Sequence, residues 1–122
     1  MAASVVGALA LGLALPASGM AGDKSCPDGK LCVWSKADFE GKRLKIGKVN
    51  AADNKIYKKM DDKVTSVKNR WDFRADLFED KDNDGEFRCF SPGVNINTLD
   101  LGYNFDNVAS SAYLWPDSET CA

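Results

Sequence analysis

An internal repeat of about 45 residues constrains this sequence more than any other feature. The spacing aromatic-x4-aromatic-x-Gly that begins at Trp34 recurs 44 residues later with one change, because Asn83 stands where the first copy has Phe39. The matching residues are Trp34, Phe39 and Gly41 in the first copy and Phe78, Asn83 and Gly85 in the second. A repeat of this length indicates two copies of one supersecondary unit.

A second landmark repeats in the same order along the chain. Residues 61–66 read Asp-Asp-Lys-Val-Thr-Ser, and residues 106–111, 45 positions later, read Asp-Asn-Val-Ala-Ser-Ser. Both copies follow one pattern: two acid or amide residues, any two residues, a hydroxyl residue and a serine. Two landmarks at nearly one offset predict a doubled unit, with copies at about 30–69 and 74–115 and a tail at 116–122.

Each copy is predicted to consist of short strands joined by turns. The expected strands are 31–34, 42–46 and one beginning near Val64 in the first copy, and 75–79, 86–90 and 112–115 in the second. Polar and apolar residues alternate in the second half of 42–46, as they do in a half-buried strand. No segment after residue 22 has a helical stripe, and residues 50–60 offer one helical turn at most. The predicted class is therefore all-β, with two short sheets packed face to face.

The first 22 residues carry no charge and contain an apolar run from Val5 to Leu15, followed by small residues. Such a stretch is typical of a secretory signal and is too short for a membrane span. We expect a signal peptide at 1–21, a single domain at 22–122 and a secreted, monomeric protein. Cleavage after Gly19 and a buried N-terminal helix are the alternatives.

Four cysteines follow the apolar run, an even number that is typical of disulfides in a small exported chain. Cys26 and Cys32 flank a Pro-Asp-Gly turn sequence that can bring them together, which leaves Cys89 to pair with Cys121. A metal site made of four thiolates is the alternative. It is disfavoured because no CxxC pair is present.

The absence of histidine and the small net charge exclude several classes of function. The chain has 16 Lys and Arg against 18 Asp and Glu, a net charge of −2. Sites built on Ser-His-Asp, Cys-His or imidazole-bound zinc are excluded, and no basic excess is available for phosphate backbones. We therefore expect no enzyme, nucleic-acid-binding or membrane-binding protein. A glycosidase built on carboxylates alone is the one enzymatic alternative.

The two landmarks together resemble the βγ-crystallin fold of microbes. In that family each Greek key carries an [Asn/Asp]-[Asn/Asp]-x-x-[Ser/Thr]-Ser loop, and two keys form one domain with two Ca²⁺ sites. Both loops of this chain match at every defined position, over a resemblance that covers about 26–114. It implies two Greek-key motifs forming one βγ-crystallin-like β-sandwich.

The resemblance also implies two calcium sites, because each loop offers the hard oxygen ligands that Ca²⁺ takes. The backbone carbonyl comes from the third loop position and the hydroxyl from the fifth. Glu79 completes the site of the first loop and Ser35 that of the second. The implied ligands are Asp61, Asp62, Lys63, Thr65, Ser66 and Glu79 for one site and Asp106, Asn107, Val108, Ser110, Ser111 and Ser35 for the other. The alternative is that the loops only cap strands with Asx and serine turns.

Residues 80–85 imitate part of an EF-hand loop, with Asp at positions 1, 3 and 5 and Gly at position 6. Position 12 is Ser91 instead of the Glu that an EF-hand loop requires, and no flanking helices are indicated. We interpret the segment as an acidic turn between two strands of the second copy.

The opening Cys-Pro-Asp-Gly-Lys-Leu-Cys at residues 26–32, together with the secretory signal, is similar to bacterial peptidase inhibitors of crystallin-like fold. Their type member inhibits metalloproteinases, so the resemblance implies a secreted inhibitor whose partner is a secreted protease. A calcium-stabilised structural or stress protein and a secreted toxin or cell-wall-binding module of the same fold are the alternatives. No pattern in the sequence identifies an inhibitory loop.

Overall fold

Antiparallel strands account for most of the described chain. The computed structural model describes residues 23–47, 54–55, 61–117 and 120–121. Within these residues the helical structure is a 3-10 turn at Ala37–Phe39, and no helix among them is long and apolar enough to cross a membrane. The strands are β1 (Leu31–Lys36), β2 (Glu40–Ile46), β3 (Asn54–Lys55), β4 (Ser66–Asn69), β5 (Ala75–Asp80), β6 (Asp84–Phe90), β7 (Asn95–Ile96) and β8 (Ser111–Leu114).

The two Greek keys exchange their third strands. One sheet has the order β2-β1-β4-β7 and the other the order β3-β8-β5-β6. Strand β3 of the first key therefore pairs with β8 of the second, with Asn54 opposite Ala112. Strand β7 of the second key likewise pairs with β4 of the first, with Val67 opposite Ile96. Neither key closes its own sheet, so the two keys form one folding unit.

The all-β prediction with two packed sheets is confirmed. Val64 lies in the loop before β4, so the third predicted strand of the first copy begins two residues later than expected. The exchanged strands β3 and β7 were not predicted, because a strand of two residues has no periodicity to detect. The predicted signal peptide at 1–21, and most of the segment at 50–60, lie outside the described residues.

The hydrophobic core lies between the sheets and is shared by both keys. Leu31 and Val33 of β1 and Leu77 of β5 are fully buried, and Phe105 from the long connection before β8 is 1% exposed. These residues belong to one contiguous cluster. Burial of each such side chain contributes about 1.5–3 kcal/mol, so the core stabilises the keys jointly.

Residues 23–26, the N-terminal cover, lie over the outward face of the first sheet. Cys32 and Trp34 alternate with the core residues of β1 and so face outward. A disulfide joins Cys26 to Cys32, and the Trp34 indole donates a 2.7 Å hydrogen bond to the Asp23 carbonyl. The Asp23 carboxylate pairs with Arg43 at 2.9 Å. As a result Trp34 is completely buried although it lies outside the core.

Residues 115–117 and 120–121, the C-terminal cover, lie over the outward face of the second sheet. The disulfide from Cys89 to Cys121 fixes the end of the chain to β6. Beneath the cover, Asp76 of β5 is 1% exposed and accepts hydrogen bonds from Arg74 at 2.8 and 3.0 Å and from the Trp115 indole at 3.0 Å. The two disulfides have the pairing that the turn sequence indicated.

Candidate functional site

The hairpins β1–β2 and β5–β6 have the same backbone geometry. Each shifts its register near the end of the first strand, and each then passes through a glycine at positive φ, +81° at Gly41 and +82° at Gly85. A Cβ atom on Gly41 would overlap the Ser35 hydroxyl, and one on Gly85 would overlap the Asp80 carboxylate. The repeat therefore keeps glycine because the turn needs both the left-handed backbone and the space.

The last serine of each repeated loop holds the hairpin of its own key. Ser66 Oγ donates to the Lys36 carbonyl at 2.7 Å and accepts from the Phe39 amide at 3.1 Å. Ser111 makes the same two bonds to the second hairpin, at 2.6 and 3.0 Å. Both serines are fully buried. Their hydroxyls, which belong to the predicted calcium ligands, are engaged with the hairpin backbone.

The repeated loops lie side by side and bind each other through their backbones. The Asp62 amide donates to the Ala109 carbonyl at 3.1 Å, and the Asn107 amide donates to the Val64 carbonyl at 3.0 Å. Asp62 and Asn107, the second residues of the two loops, both have positive φ, 56° and 59°. This reciprocal pair of bonds brings the predicted ligands of both loops to one end of the domain.

Each loop places its hydroxyl against the second residue of the other loop. Thr65 Oγ1 lies 3.4 Å from Asn107 Oδ1 and donates to the Ser35 carbonyl at 3.3 Å. Ser110 Oγ donates to Asp62 Oδ1 at 3.2 Å. We call these the Thr65 group and the Ser110 group. Each group takes one residue from each loop, so both loops contribute oxygens to both groups.

Ser35 and Glu79, which the resemblance adds to the loop ligands, lie near the ends of β1 and β5. Ser35 was expected to complete the site of the second loop. Its carbonyl accepts from Thr65 Oγ1 of the first loop, and that hydroxyl also lies 3.4 Å from Asn107 Oδ1 of the second loop. Glu79 directly follows Phe78, whose carbonyl accepts from the Ser110 amide at 2.8 Å, and its own Oε1 accepts from the Glu86 amide at 3.3 Å. The side chain of Lys63, a third loop residue, is exposed, and that of Val108 packs against the core, while the expectation for both concerns their backbone carbonyls.

Two buried carboxylate oxygens in the loops have no hydrogen-bond partner among the described residues. They are Asp61 Oδ1 and Asp106 Oδ1, the first residue of each loop. A buried amide oxygen without a partner, Asn83 Oδ1, lies in the hairpin turn that Ser111 holds. A buried acceptor without a partner costs about 1–3 kcal/mol, so these positions favour a bound cation or ordered water.

The chemistry of the loop oxygens fits a hard cation. Carboxylate, amide, carbonyl and hydroxyl oxygens are the ligands that Ca²⁺ takes, and they suit it better than zinc or copper. Within the described part of the chain, no three Asp, Glu or Cys side chains converge on one point. A calcium ion held here would therefore depend on neutral oxygens and water in addition to one or two carboxylates.

The aromatic contact of the first hairpin is replaced in the second. Phe39 packs edge-on against Trp34 with ring centroids 5.3 Å apart. Asn83 occupies the equivalent position of the second hairpin, and there Phe78 packs against its cross-strand neighbour Phe87 at 5.5 Å. Residues 81–83 form the turn between β5 and β6, consistent with the interpretation of 80–85 as an acidic turn.

An exposed turn at residues 100–104 was missed by the sequence analysis. Leu101 in this turn is 78% exposed, while Leu99 just before it is fully buried. The sequence carries one signal that points to the turn, a Leu-Gly pair between Asp100 and Tyr103. Because Leu99, Tyr103 and Phe105 lie at alternate positions with it, the sequence pattern did not distinguish Leu101 from a core residue.

Known proteins match the chain at the level of family and fold. The family described as peptidase inhibitor family I36 matches residues 19–90, which include the N-terminal disulfide, the first Greek key and the β5–β6 hairpin. A comparison with curated proteins gives no match.

Solved structures of βγ-crystallins share the fold. One, from work on the evolution of the eye-lens βγ-crystallin domain fold, is 24% identical with a TM-score of 0.65 and covers 75% of this chain and 91% of that chain. A βγ-crystallin from an archaeon is 18% identical with a TM-score of 0.56, covering 72% and 99%. A βγ-crystallin domain from Clostridium beijerinckii is 12% identical with a TM-score of 0.54, covering 69% and 94%. The described chain is therefore a βγ-crystallin-like sandwich of two Greek keys.

Proposed function

Because this chain belongs to peptidase inhibitor family I36, we propose that it is a secreted inhibitor of an extracellular metallopeptidase. The family match over residues 19–90 carries the proposal, since membership implies a peptidase as the binding partner. Both the family and the fold are of a non-catalytic kind.

The rigidity of the fold supports an inhibitory role. Exchange of β3 and β7 ties the two keys together, and the disulfides Cys26–Cys32 and Cys89–Cys121 fix both ends of the described chain to the sheets. A binding surface that is already ordered saves about 0.5–1.5 kcal/mol for each side chain that need not be immobilised on binding. Two Greek keys that are joined by strand exchange and carry two disulfides therefore suit a protein that must occupy a peptidase cleft.

Action outside the cell is supported by the disulfides and by the predicted leader. Disulfides persist in oxidising compartments, and small exported domains depend on them. The uncharged segment at 1–21 has the length and composition of a secretory signal. The metallopeptidase as target follows from the resemblance of the 26–32 opening to bacterial inhibitors of crystallin-like fold.

A peptidase panel tests this proposal directly. The full chain is expressed with its own leader, purified from the medium and titrated into thermolysin-like, subtilisin-like and trypsin-like enzymes of known active concentration. We expect an N-terminus at Gly22 and saturable, stoichiometric inhibition of the thermolysin-like enzyme. Reduced and alkylated protein serves as the matched control and should inhibit less. Full activity of all three enzymes at micromolar protein would reject the proposal in favour of a calcium-stabilised structural protein.

We further propose that the paired loops bind two calcium ions that stabilise the scaffold. The support is the orphaned buried oxygens Asp61 Oδ1 and Asp106 Oδ1 and the all-oxygen composition of the Thr65 and Ser110 groups. Within these groups Thr65 and Ser110 would supply hydroxyls, and Asp62 and Asn107 side-chain oxygens. Calcium bound here would supply positive charge between the loops.

Thermal unfolding with and without calcium tests the loop proposal. A ligand at 100 times its Kd stabilises the folded state by about 2.7 kcal/mol per site, so millimolar Ca²⁺ should raise the Tm by several degrees. The double variant Asp61→Ala with Asp106→Ala should lose most of that shift, while the exposed control Asp72→Ala keeps it. No heat in calorimetry and no Tm shift of the wild type at millimolar Ca²⁺ would reject calcium binding.

A further inference from the structure

Leu101 has the largest exposed fraction of any large apolar side chain in the described residues, at 78%. It lies in the turn 100–104, which belongs to the connection between β7 and the second repeated loop. A single exposed leucine is common on protein surfaces and carries no inference by itself. The backbone on both sides of this leucine, however, is held in place by hydrogen bonds and core contacts.

The base of the turn is closed and anchored in the core. Leu99 and Phe105, which flank the turn, are 0% and 1% exposed, and the Phe105 amide donates to the Leu99 carbonyl at 2.9 Å. The Leu99 amide in turn donates to the Thr65 carbonyl at 2.7 Å. Both ends of the turn are therefore fixed to the double Greek key.

The turn itself is braced on both sides of Leu101. The Asp100 amide donates to Thr98 Oγ1 at 3.2 Å, and the Asp100 carbonyl accepts from the Asn104 amide at 3.2 Å. On the other side, Arg88 Nε donates to the Tyr103 carbonyl at 2.7 Å. The Tyr103 ring also stacks on Phe90, with centroids 5.6 Å apart. The backbone on either side of the exposed leucine is thus fixed before any partner binds.

We propose that the turn 100–104 is the inhibitory element, and that Leu101 fills the hydrophobic primary specificity pocket of the target peptidase. This inference rests on the proposed function and identifies the surface that performs it. Binding energy at interfaces concentrates in a few side chains that fill well-packed pockets. A pre-fixed aliphatic side chain meets that requirement with little ordering cost.

The backbone of the turn indicates how it would block the enzyme. Gly102 has φ +84° and Asn104 has φ +50°, so the turn is not an extended strand. An extended peptide lays side chains alternately along a cleft, whereas this turn presents Leu101 as its one exposed large apolar side chain. We therefore expect the turn to fill the pocket without being cleaved and to remain intact in the complex.

Substitution of Leu101 tests the proposal on the panel enzyme that the wild type inhibits. Leu101→Ala should raise the inhibition constant by about 30-fold or more, as loss of an interface hot spot does. Leu101→Asp should abolish inhibition. Leu101→Arg should lose the original target and gain inhibition of the trypsin-like enzyme, whose pocket takes basic side chains. Phe87→Ala is the matched control, because Phe87 is a large apolar side chain of strand β6 that is 46% exposed outside the turn. Its inhibition constant should stay within about twofold of wild type.

The outcomes separate this inference from the function on which it rests. If the wild type inhibits an enzyme and Leu101→Ala and Leu101→Asp inhibit it equally well, the turn is not the inhibitory element, although the protein is an inhibitor. If the wild type inhibits no enzyme, the proposed function itself fails. Equal melting temperatures of wild type and variants show that a loss of inhibition reflects the turn and not the fold. Mass spectrometry of the complex after long incubation should show an intact chain.

Discussion

Each Greek key covers the outward face of its sheet with one end of the described chain, and different interactions hold the two covers. The N-terminal cover is fixed by a disulfide between residues 6 apart and by a partly exposed ion pair of Arg43 with Asp23. The C-terminal cover is fixed by a disulfide between residues 32 apart and by the buried Asp76, which binds Arg74 and Trp115. The carboxylate of the first cover is therefore exposed, whereas that of the second is buried.

The inner parts of the keys, in contrast, are nearly identical. Both hairpins have a register shift, a glycine turn and a serine that makes two hydrogen bonds to the hairpin backbone. The lengths of these hydrogen bonds agree within about 0.1 Å. The two keys therefore agree where a backbone group needs a hydrogen-bond partner, and they differ where side chains contact the two covers. The predictions below address first the divergent parts and then the preserved ones.

The largest expected effect is at the C-terminal cover. Asp76→Ala leaves the Arg74 guanidinium and the Trp115 indole without their buried acceptor, and removal of one partner from a buried pair typically costs about 3–5 kcal/mol. Urea unfolding measures the loss. Asp23→Ala at the other cover is the matched variant and should show no comparable loss, because Asp23 is exposed. Equal losses in the two variants would show that the covers are energetically equivalent.

The next effect concerns the two serines that bind the hairpin backbones, Ser66 and Ser111. Ser66→Ala and Ser111→Ala each remove two part-buried hydrogen bonds to a hairpin, which at about 0.5–1.5 kcal/mol per bond should cost about 1–3 kcal/mol in either key. The two losses are expected to agree, since the bond lengths agree. Ser91→Ala, a half-buried serine outside both loops, is the control in the same urea titration. A large loss from one serine and a small loss from the other would contradict the equivalence of the hairpins.

These two serines also show how much of the site could be predicted from the sequence. The serines could be located from the repeat, since a hydroxyl recurred at one offset, but their role could not. Whether Ser66 faces an ion or the backbone depends on where β1 ends relative to β4, and that distance is set by strand pairing, not by spacing along the chain. For the same reason the contact of the Ser35 carbonyl with the Thr65 hydroxyl could not be read from the repeat.

A smaller effect is expected where the hairpins differ. Phe39→Asn reproduces the second hairpin in the first and removes the edge-on contact with Trp34 and the Lys68 ammonium 4.4 Å from the ring. Such contacts contribute about 1–2 kcal/mol together, and part of the loss is offset because asparagine adopts positive φ more readily. Chemical denaturation of Phe39→Asn should therefore show a loss of about 1 kcal/mol.

The reverse variant sharpens the same comparison. Asn83→Phe should gain less than Phe39→Asn loses, because Phe78 already packs against Phe87 and no tryptophan is available. A gain as large as the loss at Phe39 would mean that the aromatic residue stabilises the turn itself and not its contact with Trp34.

The divergent regions were the hardest to predict. The covers depend on contacts between residues far apart in the sequence, such as Arg74 with Thr120, which no local pattern reveals. The Leu101 turn was missed because its exposure follows from the burial of its flanking residues, Leu99 and Phe105. The disulfide pairing was predictable because a Pro-Asp-Gly turn acts locally and left a single choice for the other two cysteines.

The smallest expected effect is a pH dependence at the N-terminal cover. The Ser25 hydroxyl and amide donate to the Asp23 carboxylate, and together with the nearby Arg43 they lower the pKa of Asp23 below its usual value. A carboxyl whose pKa is lowered on folding stabilises the folded state above its unfolded pKa of about 3.9 and loses that contribution as the pH falls through the folded pKa. The free energy of unfolding of wild type and Asp23→Asn should therefore differ slightly at pH 7 and converge as the pH falls below about 4. Equal stability of the two proteins at every pH would show that Asp23 stabilises the cover through its backbone carbonyl, which the substitution leaves bound to Trp34, and not through its charge.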